Sequence, residues 1–191
     1  MTTTQSLTET ELRQGRVFLE EAHGGVTGAI KRLSEAQWRF QPSAERWSIA
    51  EIMDHVIFVQ ERVLGPIREQ LTTAPPPAPE FDYQGADGVV LNQFTNRIVK
   101  FPAPEFAIPK GRYSKPEALA RFGANHKALL ECLESTPDLR LHALESMPMK
   151  FVSQGAYQVM DGYQWILAAA AHTQRHTKQI LEVAAESTFP E

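Results

Sequence analysis

Near the C-terminal end of the chain, His172 and His176 stand four residues apart within Trp165–Val183, nineteen residues that contain neither Gly nor Pro. The run is rich in Ala, Leu, Gln, Glu and Lys, so its composition predicts a helix. Residues four apart on a helix share a face, one turn above the other. Trp165, Ala169, Ile180 and Val183 fall on that face, which therefore points into a core. Two inward imidazoles one turn apart can chelate a transition metal if a third ligand arrives from elsewhere. His55 is the candidate, three residues after Ile52 and four before Val59, on the apolar stripe of another predicted helix.

Three neutral imidazoles suit Zn, Ni or Fe(II), and ligand type alone does not choose among them. Three protein ligands leave a position for water or substrate, as in catalytic rather than structural sites. A metal there lowers the pKa of a bound water, or holds a bound thiol as thiolate. The competing reading for each His is a hydrogen-bonded core residue. Burying an HxxxH pair is costly unless both rings find partners.

Four long amphipathic segments would position these side chains. Thr8–Leu33 opens on a capping-box pattern, Thr8-x-x-Glu11, and carries an apolar stripe interrupted by Gly24 and Gly25. Ser48–Leu71 opens on a second such pattern, Ser48-x-x-Glu51, with Pro66 expected to kink its last turns. A third helix starts at Ser114 or Lys115, with Pro116 and Glu117 in its first turn, and ends before Pro137. The fourth runs Asp161–Glu186. With no strong strand alternation, the fold class is all-α, a four-helix bundle spanning 1–191 as one domain. Ser34–Trp47, with two tryptophans and Phe40, is expected to fold back as a plug over one end. The proline-rich stretch from Thr72 to Ser114 is far longer than the usual connection of about 4–6 residues. Within it VLNQFTNRIVKF fits a short helix or a strand, and Pro137–Met160 reads as a second loop.

Composition narrows the function classes. Hydrophobic content of 42% and charged content of 22% are those of an ordinary globular chain. A net charge of −4 without a basic stripe argues against nucleic-acid partners and anionic membrane surfaces. No apolar run is long enough for a membrane span and no signal peptide is evident, so a cytoplasmic protein is expected. One cysteine, Cys132, excludes an internal disulfide and a Cys-cluster metal site. P-loop, GxSxG and dinucleotide fingerprints are absent.

Three stretches carry a family resemblance: QWRFQPSAERWSIAEIMDHV, APEFAIPKGRYSKPEALARF and GYQWILAAAAHTQRHTKQILEV. Together they are similar to the signatures of the DinB-like superfamily, which includes the YfiT-type metal-dependent hydrolases. The more specific parts are WSxxExxxH at the start of helix two and AHxxRHxxQI in helix four. The resemblance implies a bundle of up-down-down-up connectivity, with a metal triad mapping onto His55, His172 and His176. It also implies a small electrophilic substrate, handled either by hydrolysis or by thiol S-transfer from a low-molecular-weight thiol, and a homodimer. In the thiol route the metal activates the small molecule, consistent with a lone Cys132 among leucines. The alternative class is a non-catalytic bundle that binds a metal or ligand as sensor or scavenger; a third is a purely structural helical protein.

Other residues carry weaker readings. Glu51, one turn before His55, is either a general base or simply the capping-box carboxylate. Asp54 and Asp161 are candidate acceptors for a ligand imidazole N–H. Arg175 is expected to face away from the paired histidines as an external salt-bridge partner. His126 lies on helix three's apolar stripe, within reach of the site or packed in the core, while His23 and His142 carry no pattern. The stretch from Thr72 to Ser114 is expected to wall the metal's open face.

Overall fold

The computed structural model describes residues 6–98, 105–136 and 138–191. Its elements in chain order are α1 (Glu9–Ile30), α2 (Glu35–Arg39), α3 (Ile49–Glu69), α4 (Tyr83–Gln93), α5 (Lys115–Ser135), β1 (Ala143–Glu145), α6 (Met147–Val152), β2 (Val159–Asp161) and α7 (Gly162–Ala184). The four long helices α1, α3, α5 and α7 form the all-α bundle expected from the sequence. Capping boxes close the N-termini of α1, α3, α5 and α7, so free backbone amides at each start are satisfied by local side chains.

Two apolar clusters set the topology. One gathers Val26 and Ile30 late in α1, Ile49, Ile52 and Met53 early in α3, Ala118 and Phe122 early in α5, and Ile180 and Val183 late in α7. The other gathers Leu19 and Ala22 from α1, Val63 and Ile67 late in α3, Leu129 and Leu133 late in α5, and Ile166 and Leu167 early in α7. Thus α1 and α7 end where α3 and α5 begin, which is up-down-down-up. Helices α1 and α3 each pack on both α5 and α7, so consecutive long helices α1 and α3 lie on a diagonal. The long second connection lets α3 and α5 be parallel neighbours.

Both long connections hold structure of their own, a short helix being one of the two readings open for the first and a loop the expectation for the second. The stretch 72–114 contains α4, which packs on α7, so it is not a plain loop. Its Gly85 and Gly88 and its two buried positions, Ala86 and Val90, give the helix a weak apolar stripe. VLNQFTNRIVKF begins inside α4 and its last three residues lie outside the described residues. The 137–160 stretch forms an antiparallel pair of strands, Ala143 opposite Asp161 and Glu145 opposite Val159, enclosing α6. Helix α1 runs unbroken through Gly24 and Gly25, and α3 continues through Pro66 to Glu69. The plug over one end of the bundle is present: Trp38 in α2 is fully buried, with Phe40 and Trp47 packed on the same cluster.

Among the described residues no helix is long and apolar enough to cross a membrane.

Candidate metal centre

Helix α3 delivers His55 two turns after its capping box, and α7 delivers His172 and His176 on successive turns. The packing of α3 on α7 brings all three together. The Nε2 of His172 lies 3.2 Å from that of His55 and 3.1 Å from that of His176. His55 and His176 are buried, and His172 is partly so. Among the described residues these histidines alone form a group able to hold a metal ion.

The outer nitrogens fix which atom faces inward. His55 Nδ1 lies 2.9 Å from the carbonyl oxygen of Ala107, which can only accept, so Nδ1 carries the hydrogen. His176 Nδ1 lies 2.8 Å from Gln179 Oε1, and Arg97 Nη1 donates to the same oxygen at 3.2 Å. A guanidinium only donates, which identifies that atom as the amide oxygen and His176 Nδ1 as a donor. Both rings therefore turn an Nε2 lone pair inward. His172 Nδ1 is buried and has no hydrogen-bond partner.

Lone pairs converging at this distance repel unless a cation or a proton lies between them. With metal–nitrogen bonds of about 2.0–2.1 Å, neighbouring nitrogens of a tetrahedral site stand about 3.3–3.4 Å apart and those of an octahedral face about 2.8–3.0 Å. The two spacings to His172 fall between these values, and all three ligand atoms lie within 4.8 Å of one another, a separation compatible with a shared first-row transition metal. Burial, then the neighbouring histidines, pushes His172 well below its ordinary pKa. Burial followed by His55 does the same for His176, and burial lowers His55. All three are thereby held in the neutral form that binds metal.

Trp47, from the plug, covers this group. Its ring centroid is 5.1 Å from that of His55 and 6.4 Å from that of His176. In the sequence Trp47 belongs both to the plug and to the WSxxExxxH stretch that ends on His55, and its position just before the Ser48 cap, two turns from His55, is the signal that places it here.

The remaining sequence candidates sort differently. Glu51 accepts from Ser48 N at 2.8 Å and Ser48 Oγ at 2.9 Å, which is the capping box. Asp54 does not accept from an imidazole: its carboxylate takes the backbone N–H of Lys110 and the guanidinium of Arg112, because its side chain points to the segment before α5. The imidazole acceptor is instead Ala107 O. Asp161 caps α7 and binds Arg140, about 16 Å along the helix from His172 at about 1.5 Å per residue. Arg175 is not external; it is buried, 8% exposed, and its charge contributes to the lowered pKa of His172 and His176. His126 lies outside the triad and stacks on His23 at 4.2 Å, and His142 pairs with Ala74 O. Of the described residues in the 72–114 stretch, Ala107 O meets His55 directly and Arg97 holds Gln179, the partner of His176. Its prolines Pro75–Pro77 instead line a cavity of about 500 Å³ with Phe81 and Tyr157, which includes none of the three histidines.

A family model, that of the DinB superfamily, matches residues 19–180, a span that contains all four long helices in whole or large part and all three histidines. The chain belongs to the DinB superfamily. No curated protein and no solved structure gives a significant match. DinB membership and the convergent histidines agree with each other, since the family span includes both helices that carry the triad.

Proposed function

We propose that this DinB-superfamily protein is a metal-dependent enzyme in which His55, His172 and His176 hold one divalent transition metal. The substrate is a small electrophile, and the reaction is thiol S-transfer or hydrolysis. The observation that carries the reading is the convergence of three neutral imidazoles, two of them with the inward nitrogen fixed by an outer hydrogen bond. Bound there, a metal supplies Lewis acidity, which makes water or a thiol a better nucleophile near neutral pH.

The chain's own residues supply the setting. Trp47 shields one side of the triad from water, which strengthens charge interactions inside. Ala107 O and Gln179 Oε1 keep His55 and His176 in the ligating tautomer. Cys132 is buried in the apolar cluster at the other end of the bundle, so a thiol nucleophile has to come from a small molecule. One observation favours the non-catalytic alternative, a metal- or ligand-binding bundle: among the described residues no carboxylate lies within the histidine group.

Elemental analysis after expression in metal-supplemented medium tests the centre. About one metal per chain is expected, lost in His172→Ala. A panel of low-molecular-weight thiols with electrophiles, and of esters and amides, then tests catalysis. Turnover abolished by chelator supports the enzyme, whereas stoichiometric metal with binding but no turnover across the panel favours the alternative. A wild type that binds no metal overturns the metal-dependent enzyme and leaves only a bundle that binds a ligand without metal.

A further inference from the structure

The outer hydrogen bonds of two histidines both trace back to one connection, that between α4 and α5. At its near end, Arg97 places Nε and Nη2 on the two carboxylate oxygens of Glu182 at 3.0 and 2.6 Å, while Nη1 donates to Gln179 Oε1. This fork fixes the amide so that its oxygen, not its NH2, meets His176 Nδ1. At its far end, Ala107 is buried and its carbonyl meets His55 Nδ1.

Asp54 holds the far end in place. Its Oδ2 receives Lys110 N at 2.9 Å and Arg112 N at 3.3 Å, and its Oδ1 receives Arg112 Nη2 at 2.7 Å. Between those two amides Gly111 has φ +60°, the left-handed conformation that lets flanking N–H groups converge on one anion. The Asp54 side chain is wholly buried although Arg112 is half exposed, unlike an incidental surface ion pair. Asp54 immediately precedes His55 on α3, so the carboxylate and the imidazole grip the same short segment three to five residues apart.

We propose that Asp54 and Arg97 are positioning residues for the histidine centre. Asp54 holds the Lys110–Arg112 turn so that Ala107 O fixes the tautomer of His55, and Arg97 orients Gln179 so that its oxygen fixes the tautomer of His176. Arg97 and the segment Ala107–Arg112 thus support the histidines of α7 and α3 respectively. His172, whose Nδ1 has no such partner, is left to be oriented by the other two rings and the ion. The metal arm of this inference rests on the proposed metal reading; the tautomer arm does not.

The test uses the full chain, metal-free and at pH 8, with Asp54→Asn, Arg97→Ala and the wild type. Imidazole 15N–1H correlation spectra report each tautomer directly. In the wild type His55 and His176 are both expected as Nδ1–H. Asp54→Asn should mix the His55 tautomers and spare His176, and Arg97→Ala should do the reverse. Zn2+ affinity, from chelator competition, should fall about tenfold in each, the lower range for lost outer partners of metal ligands. The metal-free melting temperature of Arg97→Ala should stay near that of the wild type. Should Asp54→Asn fail to fold, Gly111→Ala loosens the same turn through backbone strain alone, since its Cβ meets Glu51 Cγ only at an ordinary 3.5 Å. Unchanged tautomers in these variants overturn the proposal, as does wild-type Zn2+ affinity in both. A wild type that binds no Zn2+ removes the metal reading and leaves the tautomer result standing.

Discussion

Glu51 and His55 sit one turn apart on α3, yet their environments assign them to different tasks. Glu51 Oε2 is taken by the N–H and hydroxyl of Ser48, and His55 faces the two α7 histidines. Gln serves in a capping box as well as Glu but cannot accept a proton as a base. Glu51→Gln is therefore expected to leave the melting temperature, the metal content and any turnover close to wild type. A hundredfold loss of kcat with unchanged folding, measured on whichever substrate the panel yields, would restore Glu51 as a base. At this scale the triad was legible because HxxxH fixes two side chains on one face and the His55 position is set by its own apolar stripe. The outer partners were not, since a backbone carbonyl such as Ala107 O carries no mark in the sequence. Closeness to His55 in the sequence makes Asp54 a candidate, but a carboxylate's direction depends on the segment laid against it.

Among the elements, the piece least visible in the sequence ties the bundle's second end together. Arg140, in the loop before β1, is 1% exposed and binds Glu11 of α1 at 2.6 Å, Asp87 of α4 at 2.7 Å and Asp161, the cap of α7, at 2.8 Å. The Tyr163 ring lies 4.4 Å from the guanidinium carbon, and Gln164 donates to Asp87 at 2.9 Å. One loop residue thus joins three helices that are far apart in sequence, and no local pattern announces it. Helix α4 carries a weak signal for a related reason: its two glycines and thin apolar stripe give little periodicity, so VLNQFTNRIVKF fits a strand as well as a short helix, and packing on α7 supplies what propensity does not. Removing the cation leaves carboxylates buried without a counter-charge, so Arg140→Met is expected to lose about 3–5 kcal/mol in urea unfolding. Adding Asp87→Asn should recover part of that loss. Zn2+ affinity should be unchanged in both, because the network lies at the start of α7, about 16 Å along the helix from His172. A loss below about 1 kcal/mol would mean that the network contributes only as surface pairs do.

For the molecule as a whole, the helices and their caps could be read directly, because apolar stripes and capping boxes are local features, whereas the diagonal placement of α1 and α3 depends on what the intervening segments allow. That placement puts the histidine triad across α3 and α7, so metal binding should act as a cross-link on global stability. A ligand at a hundredfold excess over its Kd adds about 2.7 kcal/mol, or about 5–10 °C in melting temperature for a chain of this size. The pH dependence follows from the direction of each shift. The triad histidines lie below their ordinary pKa, and His126, by burial and then by His23, is pushed down to about 4. Groups lowered in the folded state contribute fully above the unfolded value near 6.5 and lose that contribution as pH falls toward the folded value. Asp161, raised to about 6 chiefly by burial, works the other way and offsets part of the loss between about pH 4 and 6. The metal-free protein should therefore melt progressively lower as pH drops from 7.5 to 5. His126→Phe keeps an aromatic ring against His23 but cannot take up a proton. It should reduce that drop by about 1 kcal/mol, allowing for the water the ring still meets, or about 2–4 °C. With Zn2+ present the fall should be steeper than without it, because protons compete with the metal for the same imidazoles. Melting curves at pH 5 and 7.5, with chelator and with excess Zn2+, measure all of these terms; a Zn2+ increment that does not shrink at pH 5 would place the metal on groups other than these histidines.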